Sequence, residues 1–422
     1  MPRIMLLDDN DIRKLLHSIA LVCLMCFACA IALEYLPMPY LFIAGLCALA
    51  AITAAIRATR PWVKAGYLNA AVMITVLAGA EVYFYEIYFV DEPPREVEYR
   101  LIGESPGRNS VITSFEFHER LGYAYLKRPG FSEATRFKGR LLYEVTYSLD
   151  EHGLRIGPPF KADPAITPTC LLFFGDSFTF GEGVKDEETL PYLTGIKSNN
   201  RYQVYNFGFL GYGPHQMLAQ LQHGLVNEVI KCTPRYAFYQ ALPSHVSRAV
   251  GLEAWDQAGP RYMLDKEGRI VARGHFYDER EPGFHAALRR IHQKLPYYAR
   301  HSLEKAALYR GLLYMRRPIE SGDIAVFTGI VGESRRILEQ WYPGIKFHIL
   351  FWDFSHETDP TEIKTIEALK SIGIPLHFIS SALPDYGQHR ERYILHPADG
   401  HPNSLAYDLL ANYIADTIVK HP

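Results

Sequence analysis

A serine that directly follows an apolar run is the first residue whose surroundings favour chemistry. Ser177 ends the tripeptide Gly175-Asp176-Ser177, immediately after the apolar run 171–174. A glycine lets the chain turn sharply off a strand, and the serine then begins a helix, whose free N–H groups and dipole stabilise developing negative charge. An acyl-transfer nucleophile needs such stabilisation. The pattern predicts a serine nucleophile; helix capping by Asp176 is the structural alternative.

A histidine with a nearby carboxylate precedes the last predicted helix, in Asp399-Gly400-His401. A neutral imidazole can accept the serine proton if a carboxylate fixes its tautomer, so His401 is a candidate base and Asp399 its orienting partner. A polar turn that caps the final helix is the alternative interpretation. His396 is a competing candidate for the base.

A glycine-rich segment, 206–213, follows the second predicted strand. Glycines allow backbone N–H groups to approach a substrate oxygen without obstruction by side chains. By itself the segment is more typical of an ordinary turn between a strand and a helix.

The elements that must position these residues alternate along the chain beyond residue 168. Predicted strands cover 171–174, 204–207, 236–239, 347–351 and 375–379. Predicted helices cover 216–229, 332–341, 360–371 and 405–419. Such alternation indicates a parallel sheet covered by helices on both faces, with the site beyond the carboxyl ends of the strands.

Taken together, the three segments resemble the GDSL/SGNH hydrolase family over roughly residues 140–420. The resemblance implies an α/β fold: a flavodoxin-like, three-layer, doubly wound domain with a mainly parallel sheet. It implies Ser177 as nucleophile, His401 as base and Asp399 as the residue that orients His401. The N–H groups of Ser177 and Gly211 would then be oxyanion donors.

Two departures from the family pattern concern the site. The family commonly places its aspartate three residues before the histidine, whereas Asp399 is two residues before His401. After the third strand the family has an asparagine as third oxyanion donor, and this chain has Ser244 and His245 instead. Either one of these two residues substitutes, or the site favours a different acceptor or is weakened. A further possibility is that His245 and Arg248 bind an anionic substrate group. The remaining predicted substrate-binding residues are Asp176 and Asn206.

The first 90 residues hold three apolar runs of membrane-spanning length, at about 15–33, 40–56 and 67–88. Basic residues flank the first run and fill the loop 57–64, but are absent from the loop 34–39. The positive-inside rule therefore predicts a multi-pass membrane protein with a cytoplasmic N-terminus and a C-terminal domain on the opposite side. The resemblance to membrane-anchored bacterial members of the family implies that this membrane is a bacterial cytoplasmic membrane and that the C-terminal domain is periplasmic or extracellular. A lipid bilayer is thus a predicted partner.

Three regions follow from these patterns. Residues 1–90 form the predicted membrane anchor, 91–168 a linker with short strands, and 169–422 the hydrolase-like domain, with an insertion at about 249–325. Cys170 and Cys232, both in the predicted outer domain, could pair in an oxidising compartment.

The formal net charge of −2 gives no preference for nucleic acid. The histidines lack the spacing of metal ligands and no phosphate-binding fingerprint is present, so neither a metal nor a cofactor is predicted. We expect a serine esterase or O-acyltransferase that acts on an acylated glycan or similar ester. The alternative is a non-catalytic, membrane-tethered glycan-binding or scaffold protein with a degenerate site.

Overall fold

The computed structural model describes most of the chain, with isolated positions between 287 and 306 and the ranges 39–88, 96–101, 115–125, 127–161, 167–278, 307–314, 317–353 and 359–419. The chain divides into two compact units. The first comprises 1–93 and 283–315, and the second comprises 94–282 and 316–422. The predicted insertion, 249–325, is therefore divided between the two units.

The described part of the first unit consists of three helices: α1 (Pro39–Arg57), α2 (Pro61–Tyr88) and α8 (Ala307–Tyr314). Helices α1 and α2 form an antiparallel pair that buries Ala55 and Ala71. Helix α8 packs on α2, where the position of a Cβ on Gly311 would lie 2.0 Å from the ring of Phe84. The glycine thus permits a close approach of the two helices.

Of the described helices, only Pro61–Tyr85 within α2 is long and apolar enough to cross a bilayer. The apolar part of α1, Ala44–Arg57, is shorter than the roughly 20 residues that a crossing needs. The predicted span at 15–33 lies outside the described residues.

The residues that the structure describes in the second unit form four sheets. An antiparallel sheet in the order β1-β4-β5 and two hairpins, β2-β3 and β9-β10, accompany a five-stranded parallel sheet. The bounds of the strands outside the parallel sheet are β1 Glu96–Leu101, β2 Phe115–His118, β3 Gly122–Tyr125, β4 Gly130–Phe137, β5 Arg140–Ser148, β9 Pro260–Leu264 and β10 Ile270–His275.

The five-stranded sheet has the order β12-β11-β8-β6-β7, and all its pairings are parallel. Its strands are β6 Thr169–Phe174, β7 Gln203–Asn206, β8 Thr233–Ala241, β11 Lys346–Phe351 and β12 Leu376–Phe378. Numbered along the chain this is the order 2-1-3-4-5 of flavodoxin-like folds, whose ligand crevice lies where the strand order reverses, between β6 and β8. The predicted α/β architecture is confirmed.

Helices cover both faces of this sheet because its strand residues alternate between two apolar cores. Leu172 and Phe174 face one core together with α5 (Pro214–Gln222) and α9 (Ser321–Trp341). Leu171 and Phe173 face the other core together with α4 (Leu190–Lys197) and α11 (Ser404–Tyr413). The helices of this unit are α3 Ser177–Phe180, α4 Leu190–Lys197, α5 Pro214–Gln222, α6 Leu225–Val229, α7 His245–Ala249, α9 Ser321–Trp341, α10 Pro360–Ser371 and α11 Ser404–Tyr413, which continues as a π-helical turn, Ile414–Val419.

One segment that was predicted as a single helix forms two helices. The segment predicted as a single helix over 216–229 forms α5 and α6, separated at Gly224, whose φ of 72° is left-handed. A glycine adopts this conformation at no steric cost, so it ends one helix and begins the next.

A disulfide joins Cys170 in β6 to Cys232, which precedes the neighbouring strand β8, with 5.9 Å between the Cα atoms. The bond therefore links the starts of two adjacent strands that both lead to the carboxyl edge of the sheet.

Candidate active site

The turn after β6 places Ser177 at the first position of α3. Gly175 has a φ of 150°, and a Cβ there would lie 2.2 Å from Thr179 Oγ1, so only glycine fits. Asp176 Oδ1 accepts a hydrogen bond from Phe178 N at 3.0 Å and so caps the helix. At this first helical position the Ser177 N–H has no intrahelical acceptor, which leaves it available to a substrate oxygen.

The serine, histidine and aspartate predicted from separate motifs meet at this turn. Ser177 Oγ lies 2.8 Å from His401 Nε2. On the other side of the ring, His401 Nδ1 forms a short hydrogen bond with Asp399 Oδ1. Ser177 and His401 are buried apart from about 7% of their surface. With the Nδ1 proton held by Asp399, the Nε2 lone pair faces the serine hydroxyl, as a general base requires.

The two-residue spacing of Asp399 and His401 is compatible with this contact because of the turn between them. Gly400 has a left-handed φ of 71°, and His401 N donates to Asp399 Oδ1 at 3.1 Å. The carboxylate therefore holds both the backbone and the ring of His401. Asn403 then caps α11 by accepting a hydrogen bond from Ala406 N.

The competing histidine lies elsewhere on the same loop. His396 Nδ1 accepts a hydrogen bond from Ala398 N at 3.0 Å, and its ring lies beside Phe137.

Asp176 is the centre of a buried charged cluster next to Ser177. Arg248 Nη1 lies 2.7 Å from Asp176 Oδ2, and His245 Nε2 lies 3.2 Å from the same oxygen. Burial alone would raise the pKa of Asp176, but the adjacent Arg248 and His245 hold this pKa well below its usual range. Asp176 is thus an anion that fixes the turn before Ser177.

His245 and Arg248 use their polar atoms within the protein. His245 is fully buried, and its Nδ1 lies 2.6 Å from the hydroxyl of Tyr239. Burial lowers the pKa of His245 although Asp176 opposes the change. Arg248 Nη1 also donates to the carbonyl of Tyr212 at 2.7 Å, so it joins the Asp176 turn to the glycine-rich loop. Their predicted oxyanion and substrate-binding roles stay predictions.

The glycine-rich loop after β7 lies alongside the nucleophile turn. Phe209 N donates to Gly175 O at 3.2 Å. Asn206 is buried, and its amide donates to Thr179 O and accepts from Gly208 N. Gly211 has a left-handed φ of 74° and lies beside the side chains of Tyr123 and Trp255. Ser244 is exposed just beyond the end of β8.

Two residues near Ser177 belong to no motif that would have indicated them. Gln240, in β8, donates to Thr179 Oγ1 at 2.9 Å and accepts from Trp352 Nε1 at 3.0 Å, so it braces α3 from the centre of the sheet. Glu182, on the loop after α3, places Oε2 3.3 Å from His401 Nε2. The only sequence signal for Glu182 is its position between two glycines. Among the described residues, no group of three or more histidine, cysteine or acidic side chains could hold a metal ion.

No protein-family model and no curated protein sequence matches this chain. Several solved structures are similar to it. A lipolytic protein of the G-D-S-L family from Desulfitobacterium hafniense DCB-2 is 12% identical, with a TM-score of 0.30, and the match covers 58% of this chain and 97% of that one.

An acetyl xylan esterase from the rumen bacterium Butyrivibrio proteoclasticus is 11% identical, with a TM-score of 0.31, and covers 61% and 64% of the two chains. A carbohydrate esterase family 2 enzyme with a carbohydrate-binding domain, from Corynascus thermopiles (Myceliophthora fergusii), is 13% identical, with a TM-score of 0.34, and covers 77% and 100%. The family that the motifs resemble is thus present among the structural neighbours.

Proposed function

We propose that this chain is a serine-dependent acyl-ester enzyme, an esterase or O-acyltransferase, that forms an acyl-Ser177 intermediate. The observation that supports it most directly is the pair of hydrogen bonds that links Ser177 to His401 and His401 to Asp399. These residues lie where the strand order of the sheet reverses. No capping role requires the His401 ring to contact Ser177 Oγ.

The proposed reaction begins when Ser177 Oγ attacks the ester carbonyl carbon and its proton moves to His401 Nε2. The carbonyl oxygen becomes an oxyanion, which the N–H groups of Ser177 and Gly211 would bind. As the C–O bond to the alcohol breaks, the leaving oxygen takes the proton from Nε2. Water or a sugar hydroxyl then gives its proton to Nε2 as its oxygen attacks the acyl carbonyl carbon. The bond from this carbon to Ser177 Oγ breaks, and Oγ takes the proton back from Nε2, which restores the free serine and the neutral histidine.

The test is replacement of the nucleophile in the full-length, detergent-solubilised protein. Ser177→Ala should lower hydrolysis of an aryl acetate by about 10⁴-fold or more and abolish labelling by a fluorophosphonate probe. Ser371→Ala is the matched control, because Ser371 is an exposed residue near the end of α10. If Ser177→Ala leaves hydrolysis and labelling unchanged, the non-catalytic alternative replaces this proposal.

An acylated glycan is the substrate class that we propose. Trp255, which is 52% exposed, lies beside Gly211, where its indole could stack on a sugar ring. Acetate released from an acetylated polysaccharide identifies an esterase, and a labelled acetyl group found on an acceptor sugar identifies a transferase. A protein that hydrolyses an aryl acetate but neither releases acetate from any acetylated polysaccharide tested nor transfers an acetyl group to an acceptor sugar would contradict the glycan assignment.

The proposed location is the outer side of a bacterial cytoplasmic membrane. Support comes from the apolar surface of α2, where Val72, Met73 and Val76 are exposed, and from the basic loop that precedes this helix. The Cys170–Cys232 disulfide is of the kind that persists in oxidising compartments.

A further inference from the structure

A second carboxylate lies against the base, on the side that faces the nucleophile. Glu182 Oε2 is 3.3 Å from His401 Nε2, the same nitrogen that contacts Ser177 Oγ at 2.8 Å. Asp399 occupies the opposite side of the ring, at Nδ1. A Ser-His-Asp arrangement needs only the carboxylate at Nδ1, so the proposed function does not by itself account for Glu182.

The loop that carries Glu182 has a backbone conformation that its two neighbouring glycines permit. Gly181 and Gly183 have left-handed φ values of 84° and 82°. A Cβ on Gly181 would lie 2.6 Å from Thr189 Cγ2, and one on Gly183 would lie 2.1 Å from Leu395 Cδ1. The left-handed φ values favour glycine on both sides of Glu182, and side chains of the protein crowd both positions.

A buried arginine holds the same loop by hydrogen bonds to its backbone carbonyls. Arg155, which is 2% exposed, donates through Nη1 to the carbonyls of Phe180 and Gly181 and through Nη2 to the carbonyl of Val184. Its Nε lies 3.0 Å from Asp186 Oδ1. One guanidinium group therefore binds the backbone on both sides of Glu182.

Tyrosines of β5 complete the support. The Tyr143 hydroxyl lies between Glu182 Oε1, at 3.3 Å, and Glu133 Oε1, at 2.9 Å. Burial, together with these two carboxylates, raises the pKa of Tyr143 far above its ordinary value, so its hydroxyl stays a neutral donor. Tyr147 donates to Glu133 Oε2 and accepts from Gly183 N.

We propose that Glu182 is a catalytic residue that stabilises the His401 imidazolium from its Nε2 side. This inference rests on the proposed function. When Ser177 Oγ bonds to the carbonyl carbon, its proton reaches Nε2 and the ring becomes a cation beside the carboxylate. The proton then passes to the leaving oxygen as the C–O bond breaks, so Glu182 itself takes up no proton.

The groups that face His401 show whether its surroundings favour the charged or the neutral form of the ring. Its own loop contributes Asp399, the loop after α3 contributes Glu182, and α3 contributes the Ser177 hydroxyl and the ring of Phe178, at 5.2 Å between ring centres. Behind Glu182 lie Tyr143, Glu133 and the buried cation Arg155. An opposite charge within about 4–6 Å favours the charged form of a group, typically by about 1–3 pKa units, so the carboxylate favours the imidazolium.

The test is a pH profile of the full-length protein in detergent, measured in two ways. One is the rate at which a fluorophosphonate labels Ser177, and the other is kcat/KM for 4-nitrophenyl acetate. In both, the rate rises with pH as His401 loses its proton. Glu182→Gln removes the charge, so we expect this rise to move to lower pH by about one unit or more and the upper plateau to fall about tenfold per unit.

Glu187→Gln is the matched control, because it is the same change at an exposed position five residues further along. It should leave the pH at which the rate rises unchanged. If Glu182→Gln does not fold, Glu182→Asp carries the test: its carboxylate lies farther from Nε2, so the rise should move in the same direction by less.

The outcomes separate this inference from the proposed function. A wild-type protein that neither hydrolyses the ester nor reacts at Ser177 overturns the proposed function. An active wild type whose pH profile is the same as that of folded Glu182→Gln, or of Glu182→Asp if only that variant folds, overturns the role of Glu182 alone. A lower plateau without displacement in pH shows a structural role and also overturns it.

Discussion

Asp176, which precedes Ser177, stabilises the structure around that serine. Its carboxylate caps α3 through Phe178 N and holds Arg248, which in turn holds the loop of Gly211. The family motif draws attention to Ser177, yet the position of Ser177 depends on a buried ion pair between Asp176 and Arg248, which lies on α7, the helix after β8.

Loss of the Arg248 charge should therefore destabilise the protein in a pH-dependent manner. Arg248→Met leaves Asp176 buried without its cation, and breaking such a pair costs about 3–5 kcal/mol of unfolding free energy. The folded pKa of Asp176 lies below its unfolded value of about 3.9, so its contribution is present above about pH 4 and is lost as pH falls further. In the variant the folded pKa rises, and stability begins to fall at higher pH.

The check is the melting temperature of the full-length protein at several pH values between 4 and 7. Arg336→Met is the control, because Arg336 forms an exposed pair with Glu333 that is worth at most about 1 kcal/mol. An equal fall in melting temperature in the two variants would show that the buried Asp176–Arg248 pair stabilises the protein no more than an exposed pair does.

At the scale of elements, the turn between β6 and α3 has the strictest requirement for one residue type. Gly175→Ala would place a Cβ against Thr179 Oγ1 and force a non-glycine residue into a φ of 150°. We expect a loss of roughly 2 kcal/mol or more in unfolding free energy together with a loss of Ser177 reactivity towards a fluorophosphonate.

Gly322→Ala is the matched control for that turn. Gly322 lies in α9 with nothing within 4 Å of the added Cβ, and alanine is the better helix former by about 1 kcal/mol. A melting temperature that is unchanged or higher in Gly322→Ala, but lower in Gly175→Ala, is the expected pair of results. Normal labelling of folded Gly175→Ala would contradict the argument.

Elements with a strong local pattern could be predicted from the sequence, and those set by distant partners could not. Each of the five parallel strands contains a short apolar run. Ser177 directly follows one of these strands, and Asp399 and His401 precede the final helix, α11. Glu182 depends on Tyr143 and Arg155, which lie 39 and 27 positions earlier in the chain. No periodicity marks these partners, so the second carboxylate at His401 was missed.

At the scale of the whole molecule, the proposed membrane topology makes a prediction about which positions face outwards. Lys266→Cys lies on the β9-β10 turn of the second unit, and Thr59→Cys lies in the loop between α1 and α2; both positions are exposed. A membrane-impermeant maleimide added to spheroplasts should label Lys266→Cys at once but Thr59→Cys only after lysis.

The unsubstituted protein is the blank for this labelling, because its remaining cysteines lie in apolar runs or in the disulfide. Labelling of Thr59→Cys in spheroplasts, with Lys266→Cys protected until lysis, would reverse the orientation. Labelling of both before lysis would exclude the assignment of the loop 57–64 to the cytoplasm.

The contact between α2 and α8 decides how this protein can be shortened. Both oxygens of Glu81 accept hydrogen bonds from the first N–H groups of α8, at Ala307 and Leu308, although more than 220 positions separate them. A fragment that begins after residue 93 keeps α8 but removes its cap and the helix against which Ala307 and Leu313 are buried. A water-soluble version for crystallography would therefore need residues 283–315 replaced by a short linker as well, because removal of the first 93 residues alone would leave an uncovered apolar helix.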